Sequence, residues 1–499
     1  MPRRKGVCTL YTICLQNVAQ NLRYWTEHYD THILRNSQAE GRNILFVIGP
    51  FSDLFTPLAN DLLDQLICSK RLTLSALQLL VFGGTITRLD LGGCSKLVND
   101  SLIKSVARNC TRLKHLNLSN CKRLSSDAFV TLSTRLPLAV YLNFSSTSIT
   151  AKALRNFLEY SVNVSELVLK YCKIGDKDVK VLCSSFDQSK LSRMRSIDLS
   201  DTRVTENGLV TLLCFFPSIV HLHHHLLLDA ILKVCNSDAM TAPPICLQSL
   251  SCLYVELSER DIVDLVTNFP NLSKLELKLT SMFSSLASST FSHCDRLEEL
   301  ILVGDHWNGN PTKYSTSVRP LLETCGKNLL SLTLQDFREV DLLEAVSLCP
   351  KLRKLSALLN ADLSSFCSGR NHVIGQCPML SEICIWSKLG DSSLSSSTLE
   401  CVLSSAVNIQ KITLFQIDCF TGSVIKNILR ANPLQRLKNL HLRDCNHISG
   451  KDLSVLILDE GNSLESVSLM HNWLINRSDY EGWKRAIEKM NFHVCIEWK

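Results

Sequence analysis

The run RLDLGGC at residues 88–94 determines how the rest of the chain is interpreted, because a second copy, HLNLSNC, follows at residues 115–121. Both copies fit the pattern L-x-L-x-x-C-x-x-L, and their leading residues Leu89 and Leu116 lie 27 residues apart. Self-similarity at a fixed period of about 20–50 residues indicates a repeat architecture, in which each copy is one structural unit.

Further copies of this run extend along most of the chain at a mean spacing of about 27 residues, less regularly between residues 220 and 420. The leading positions are Leu89, Leu116, Leu142, Leu167, Ile197, Leu222, Leu250, Leu275, Leu300, Leu332, Leu355, Ile383, Ile412, Leu440 and Val467. In the L-x-L segment, alternate side chains point to opposite faces of a strand. The rest of each copy is long enough for a helix. The sequence therefore predicts an α/β fold, a right-handed leucine-rich-repeat horseshoe with a parallel sheet and a helical N-terminal cap.

The repeat changes the domain count that the length implies. A chain of 499 residues would suggest about three globular domains. The repeat pattern instead predicts a helical segment over residues 1–80, about 15 leucine-rich repeats over 81–475 and a C-terminal cap over 476–499. A hydrophobic content of 45% argues against disorder, and a net charge of +6 is too small to favour a nucleic-acid partner. The absence of a long apolar run argues against a membrane partner.

The 22 cysteines follow the repeat in part. Cys94, Cys121, Cys172 and Cys445 occupy the position where the chain leaves the strand. A small buried side chain at that position can bond to backbone groups of the loop, which need partners. We expect reduced, buried cysteines in an intracellular protein of the cytoplasm or nucleus, or both. An extracellular repeat receptor with disulfides is the alternative.

These repeats, over residues 85–475, resemble the cysteine-containing leucine-rich repeats of F-box proteins and related ubiquitin-ligase receptors. A second resemblance lies at residues 9–18, TLYTICLQNV, which match the BC-box pattern T/S/P-L-x-x-x-C-x-x-x-aliphatic. In families with that box, the leucine enters a pocket of elongin C and the cysteine packs beside it. The resemblance implies that Leu10, Cys14 and Val18 bind elongin.

The rest of the N-terminal segment bears on the same resemblance. Leu10, Cys14, Val18 and Leu22 recur every four residues and predict one apolar stripe on a helix. Cullin-binding boxes carry a hydrophobic-proline step before an apolar helix, and the resemblance makes Pro57, Leu58 and Leu62 the candidate cullin contacts. This alignment leaves Phe55 where proline is usual, which leaves the choice of cullin open.

The order of box, apolar helix and leucine-rich repeats looks like that of the Zyg and Zer families of cullin substrate receptors. Those families continue into armadillo repeats, which are absent from this sequence. A clear F-box leucine-proline-acidic pattern is also absent. The alternative is that residues 1–80 only cap the solenoid, since an open end would expose its core.

The side chains between the leucines predict where a substrate would bind. The candidates are Tyr141, Glu166, Lys170, His223, Glu276, Trp386, Phe415, His441 and Arg443. Their mixed charges and exposed aromatic rings favour a protein partner over nucleic acid. Alternation places His221, His223 and His225 on one strand face, but no nearby Cys/His pair completes a zinc spacing. We therefore expect no metal and no cofactor.

No phosphate loop, nucleophile elbow or metalloprotease motif occurs in the sequence, so we expect a protein that is not an enzyme. The leading hypothesis is a substrate-recognition subunit of an elongin BC–cullin–RING ubiquitin ligase. Elongin C with elongin B and a cullin would bind the N-terminal segment, and the repeats would bind the protein substrate. The alternative is an interaction scaffold with no link to a ligase.

Overall fold

The computed structural model describes residues 9–24, 56–183, 193–216, 218–236, 246–253, 257–280, 289–305, 312–360, 377–388 and 394–499. The chain forms two compact units, Cys8–Leu247 and Gln248–Lys499. We call them the first and the second repeat unit and describe each by itself.

The first repeat unit begins with helices and continues as a parallel sheet. Helix α1 covers residues 10–24, and it is followed by α2 (Thr56–Cys68) and α3 (Leu74–Phe82). The six strands are β1 (Arg88–Asp90), β2 (His115–Asn117), β3 (Tyr141–Asn143), β4 (Glu166–Val168), β5 (Ser196–Asp198) and β6 (His221–His223). They pair in sequence order, and all pairs are parallel.

One helix follows each strand of the first repeat unit. These helices are α4 (Asp100–Asn109), α5 (Ser126–Ser133), α6 (Ala151–Tyr160), α7 (Asp176–Cys183), α8 (Glu206–Phe215) and α9 (Leu227–Asn236). Side-chain caps fix where several of them begin. Asn99 Oδ1 accepts a hydrogen bond from the Leu102 N–H at 2.9 Å at the start of α4, which satisfies a backbone donor that the helix itself leaves open.

The second repeat unit contains a ten-stranded sheet in which neighbours along the chain also pair in parallel. Its strands are β7 (Ser249–Cys252), β8 (Lys274–Leu279), β9 (Glu299–Gly304), β10 (Ser331–Gln335), β11 (Lys354–Asn360), β12 (Glu382–Lys388), β13 (Lys411–Phe415), β14 (Asn439–Arg443), β15 (Ser466–Met470) and β16 (Cys495–Trp498). Its helices are α10 (Glu259–Asn268), α11 (Arg319–Cys325), α12 (Leu342–Leu348), α13 (Ser396–Ser405), α14 (Gly422–Ala431), α15 (Gly450–Ile457) and α16 (Arg477–Met490).

The predicted α/β leucine-rich-repeat fold is confirmed, with one helix or short turn after almost every strand. All fifteen predicted leading residues lie in strands, and each is buried. Strand pairing aligns them within each unit; Leu116 pairs with Leu142 in the first and Ile412 with Leu440 in the second. In the C-terminal tail, β16 adds a further parallel strand to β15, and Ile496 continues the column of leading residues.

The core of each repeat unit lies between its sheet and its helices. In the first unit, the Phe144 ring is fully buried between Phe129 and Phe157, with ring centroids 5.6 Å and 5.1 Å away. Burial of such a side chain contributes roughly 1.5–3 kcal/mol. Before β1, the Asn60 Oδ1 of α2 accepts a hydrogen bond from the Thr87 N–H at 3.2 Å, which partners a backbone group at the outer edge of the sheet.

The strand exits use small side chains, including the cysteines that the sequence analysis singled out. The Cys172 thiol donates to the Phe144 carbonyl at 3.1 Å, and the Thr147 hydroxyl donates to the same oxygen at 2.6 Å. The residue just before this position has a left-handed backbone in many copies, with φ of 63° at Asn120 and 54° at Asp444. A left-handed residue turns the chain out of the strand, and the next side chain then satisfies the loop.

Nineteen of the cysteines have described side chains; these are free thiols, and nine of them are buried. Burial raises the thiol pKa to about 12 at Cys110, Cys252 and Cys349, because the interior disfavours the thiolate. Such thiols are unreactive near neutral pH.

Among the helices that the structure describes, none has the length and apolar character needed to span a bilayer.

Candidate protein-binding surfaces

Helix α1 presents apolar side chains to solvent at its N-terminal end. Leu10 is 77% exposed and Cys14 is exposed, whereas Val18 is half-buried and Leu22 is buried. The predicted single stripe is therefore divided. A step of four residues turns about 400° around a helix, so each step rotates the stripe by about 40°. Over three steps, the stripe passes from the solvent side to the packed side.

Contacts from both ends of α1 hold this helix on the first repeat unit. Ala19 is buried along with Leu22. The Tyr11 hydroxyl donates to Asp61 Oδ2 of α2 at 2.6 Å, and this bond raises the pKa of the Tyr11 phenol because the carboxylate stabilises the protonated form. Arg71 Nη1 donates to the Gln20 carbonyl at 3.4 Å. The helix is thus anchored on one side and leaves Leu10 and Cys14 accessible on the other.

The three candidate cullin contacts lie at different depths in α2. Pro57 is exposed, Leu58 is half-buried and Leu62 is buried. In this conformation, only Pro57 and Leu58 are accessible to a partner, because Leu62 packs into the unit. Phe55, the residue that departs from the family pattern, lies outside the described residues.

The strand face of the first repeat unit, meaning the side chains that alternate with the buried leading residues, is polar. Of the predicted substrate contacts, Glu166 and His223 are exposed, and Tyr141 and Lys170 are half-buried. The Asn143 amide donates to the Tyr141 hydroxyl at 3.2 Å. The Lys170 ammonium lies 3.9 Å from the Asp201 carboxylate, in a pair too exposed to add much stability.

The histidines at the end of this face do not assemble a metal site. The described residues include no group of three or more metal-binding side chains close enough to hold an ion. His221 and His223 stack with ring centroids 6.5 Å apart. His224 Nδ1 accepts from the Leu226 N–H at 3.1 Å, and burial followed by repulsion from His225 lowers the pKa of His224 to about 4.

The strand face of the second repeat unit combines charges with exposed aromatic rings. Trp386 is 49% exposed, and its ring centroid lies 5.7 Å from that of Phe415 on the next strand. Glu276 bonds to the Lys274 ammonium at 3.2 Å. His441 is half-buried, and burial together with the charge of Lys411 lowers its imidazole pKa.

Arg443 continues the row that contains Trp386 and Phe415, since strand pairing aligns Trp386 with Phe415 and Phe415 with Arg443. The Arg443 side chain is exposed and lies 3.4 Å from the Asp444 carboxylate. Two apolar residues that reach solvent, the half-buried Leu358 and the exposed Trp473, were missed by the sequence analysis. Leu358 lies beside Trp386 in the same row, four residues after the first residue of β11. Trp473 is 84% exposed in the loop after β15.

Comparison with known proteins identifies distant relatives with leucine-rich repeats. No protein-family model matches the chain. The bovine F-box/LRR-repeat protein 4 is 28% identical over 144 residues, a match that covers 28% of this chain and 22% of that protein. The chain therefore matches only about a fifth of the length of this curated relative.

Two solved structures are similar to the chain over most of its length. The crystal structure of the Rad7 and Elc1 complex in yeast matches with a TM-score of 0.45 and 15% identity, over 95% of this chain and 96% of that chain. The complex of TLR13 with ssRNA13 matches with a TM-score of 0.34 and 14% identity, over 86% and 63% of the two chains. The fold assignment rests on the strand pairing of the chain itself.

Proposed function

We propose that the protein is the non-catalytic substrate-recognition subunit of an elongin BC–cullin–RING ubiquitin ligase. The observation that carries the proposal is the N-terminal half of α1, where Leu10 and Cys14 of the BC-box pattern are exposed while the helix is held by Ala19 and Leu22. A few apolar anchors on a helix supply most of the binding energy in such interfaces. The match to an F-box/LRR-repeat protein supports the ligase context.

In this proposal, the ligase subunits and the target protein bind different residues of the chain. Elongin C, with elongin B, binds Leu10, Cys14 and Val18, and a cullin contacts Pro57 and Leu58 on α2. The repeats bind the target protein through their strand faces. The chain supplies no chemistry of its own, because a substrate receptor acts by holding the target near the ligase.

Co-purification with elongins B and C tests the proposal. The full chain, co-expressed with both elongins, should retain them through size-exclusion chromatography. The double variant Leu10→Ser with Cys14→Ser should lose them, while its unfolding free energy changes by no more than about 0.5 kcal/mol because both side chains are exposed. Phe82→Ser is a matched control, since Phe82 is a 66% exposed apolar side chain on α3.

The alternative function is an interaction scaffold with no link to a ligase. The contacts that hold α1 on the first repeat unit suit this alternative, in which α1 serves only as a cap. Retention of the elongins by the double variant would contradict the BC-box interpretation. A well-folded wild-type chain that retains no elongin would support a scaffold in which α1 only covers the first repeats.

A further inference from the structure

A row of side chains crosses four neighbouring strands in the second repeat unit. Strand pairing aligns Leu358 of β11 with Trp386 of β12, Phe415 of β13 and Arg443 of β14. Neighbouring strands lie about 4.8 Å apart, so these residues form one line perpendicular to the strands. We call these four residues the aromatic row.

Three members of the aromatic row are apolar and reach solvent. Trp386 is 49% exposed, and Leu358 and Phe415 on either side of it are half-buried. Single exposed apolar residues are ordinary on protein surfaces, but contiguous ones mark interaction sites. The strand backbone below them is held rigidly, because Ile385 and Leu414 are buried in the core. A rigid, exposed tryptophan beside a phenylalanine has the composition of an interface hot spot.

Charges on the same strand face as the aromatic row favour an acidic partner. Lys354 is neutralised by Glu382 at 3.1 Å. Lys411, on the same face of β13 as Phe415 but about 13 Å before it along the strand, is exposed and has no carboxylate within 4.0 Å among the described residues. Arg443 has Asp444 as its only ion-pair partner in that same part of the chain, at 3.4 Å. The positive charge of Lys411 also helps to lower the pKa of His441, after burial.

We propose that the aromatic row binds an extended acidic segment of a protein, with a bulky apolar side chain on Trp386 and Phe415, one carboxylate at Arg443 and a second at Lys411. Trp386 and Arg443 are two strand spacings apart, about 10 Å, which an extended chain covers in about three residues. The inference rests on the proposed function, because that segment would belong to the substrate, but it is tested without elongin.

Selection from a library of random linear peptides displayed on phage, with the full-length chain as bait, tests this proposal. Enriched peptides should share a large apolar residue and an Asp or Glu about three positions away. One enriched peptide, labelled with fluorescein, then serves as the probe in anisotropy titrations. Trp386→Ala should weaken its binding more than about tenfold, and Trp386→Phe should weaken it less.

Charge reversal separates the electrostatic part of the prediction. The double variant Lys411→Glu with Arg443→Glu should bind the acidic peptide more weakly than the wild type does. The salt dependence of that binding should also fall, because the attraction between opposite charges is lost. A peptide with Lys in place of the acidic residue should then bind the variant better than it binds the wild type. Tyr160→Ala, which removes an exposed aromatic ring at the end of α6 in the first repeat unit, should leave the affinity unchanged.

Several results would overturn the proposal. One is a set of enriched peptides without an acidic preference. Another is binding that survives both Trp386→Ala and the charge reversal. A third is self-association of the wild-type chain that Trp386→Ala abolishes, which would make a second copy the occupant. Peptide binding by a chain that fails to retain elongins would leave this proposal standing and contradict only the ligase assignment.

Discussion

The strand faces of the two repeat units differ although their buried cores follow one pattern. All six strands of the first unit have three residues, whereas those of the second have four to seven. The difference lies at the residue after the leading position. In four strands of the first unit this residue is Asp90, Asn117, Asn143 or Asp198, and its side chain accepts a hydrogen bond from the N–H two residues further along.

That hydrogen bond makes an Asx turn, which competes with the strand ladder and ends the strand. In the second unit, the same position in the strands β7–β15 holds Ser251, Glu276, Ile301, Thr333, Ser356, Cys384, Thr413, His441 and Ser468. None is Asn or Asp, so pairing continues for further residues. The longer strands bring positions such as Trp386 and Phe415 onto the face. The Asx turn thus accounts for the short strands β1, β2, β3 and β5, whereas β4 and β6, with Val168 and His223 at this position, are equally short without it.

Replacement of one core side chain in each unit should give the largest effect, because the core of the first unit contains an aromatic column in which Phe144 packs between Phe129 and Phe157. Phe144 and Leu414 occupy the same position in their repeats, two residues after the leading residue, and both are fully buried. Phe144→Ala should cost about 3–5 kcal/mol and Leu414→Ala about 2–5 kcal/mol, with the aromatic change larger. Urea unfolding measures the cost.

Hydrogen exchange by mass spectrometry assigns each loss to a unit. Repeats depend mainly on their nearest neighbours, so Phe144→Ala should raise exchange around β3 and β4 before it affects β13. A Leu414→Ala cost that exceeds the Phe144→Ala cost would contradict the special role of the aromatic column.

Much of the fold followed from the sequence, because leucine burial at a fixed period is a strong signal. The fifteen leading residues were found by pattern alone. The strand lengths could not be predicted from this pattern. Asn143 and Thr413 both occupy the x position of L-x-L, but only Asn143 makes a turn there. The candidate site was therefore predicted incompletely. Leu358 lies outside the three-residue segment on which the pattern focuses, and Leu62 proved buried because α2 packs on its apolar side.

Substitution of the residue after the leading position should change the unfolding free energy by about 1 kcal/mol. Asn143→Thr removes the acceptor of the Ser145 N–H at 3.0 Å and of the Ser145 hydroxyl at 2.7 Å, so amide exchange at Ser145 should rise. The reverse change, Thr413→Asn, offers an Asx turn inside β13 and should raise exchange at Phe415. Thr413→Ser is the control and should change less. Unchanged exchange in both variants would mean that the residue at this position does not set strand length.

The half-buried His224 of the first repeat unit should make the stability of this unit more sensitive to acid. The pKa of His224 falls to about 4 in the folded protein from an ordinary value of 6.5. Between these two values, the unfolded chain binds the proton more strongly, so the stabilisation present above pH 6.5 is lost as the pH falls towards 4.

His224→Asn isolates this effect, because asparagine keeps an acceptor for the Leu226 N–H without titrating. Between pH 6.5 and about 5, the unfolding free energy of this variant should fall less steeply than that of the wild type. His441→Asn is the comparison in the second unit; the His441 pKa is also lowered, so its effect should have the same sign and be smaller. A larger effect at His441 would reverse the comparison.

Thiol alkylation should distinguish the exposed cysteines of each unit from the buried ones and needs no substitution in the chain. The exposed cysteines that the structure describes are Cys14, Cys68 and Cys214 in the first repeat unit and Cys495 in the second. Brief alkylation of the native chain with iodoacetamide at pH 8, read by peptide mass spectrometry, should label these four first. Cys252 and Cys349 should remain unlabelled, because burial raises their pKa to about 12.

The same labelling gives a direct measure of what covers α1. If elongin C binds the exposed end of this helix, addition of the elongin B–C complex should protect Cys14 and leave Cys68, on α2, as reactive as before. Cys68 is the matched control, because it is an exposed thiol at the end of a helix in the same unit. Equal protection of both thiols would indicate a general shielding of the N-terminal helices, and protection of neither would place the elongins, if they bind, away from the BC-box pattern. Because alkylation measures access at one sulfur atom, it distinguishes a helix that only caps the repeats from one whose outer face is occupied.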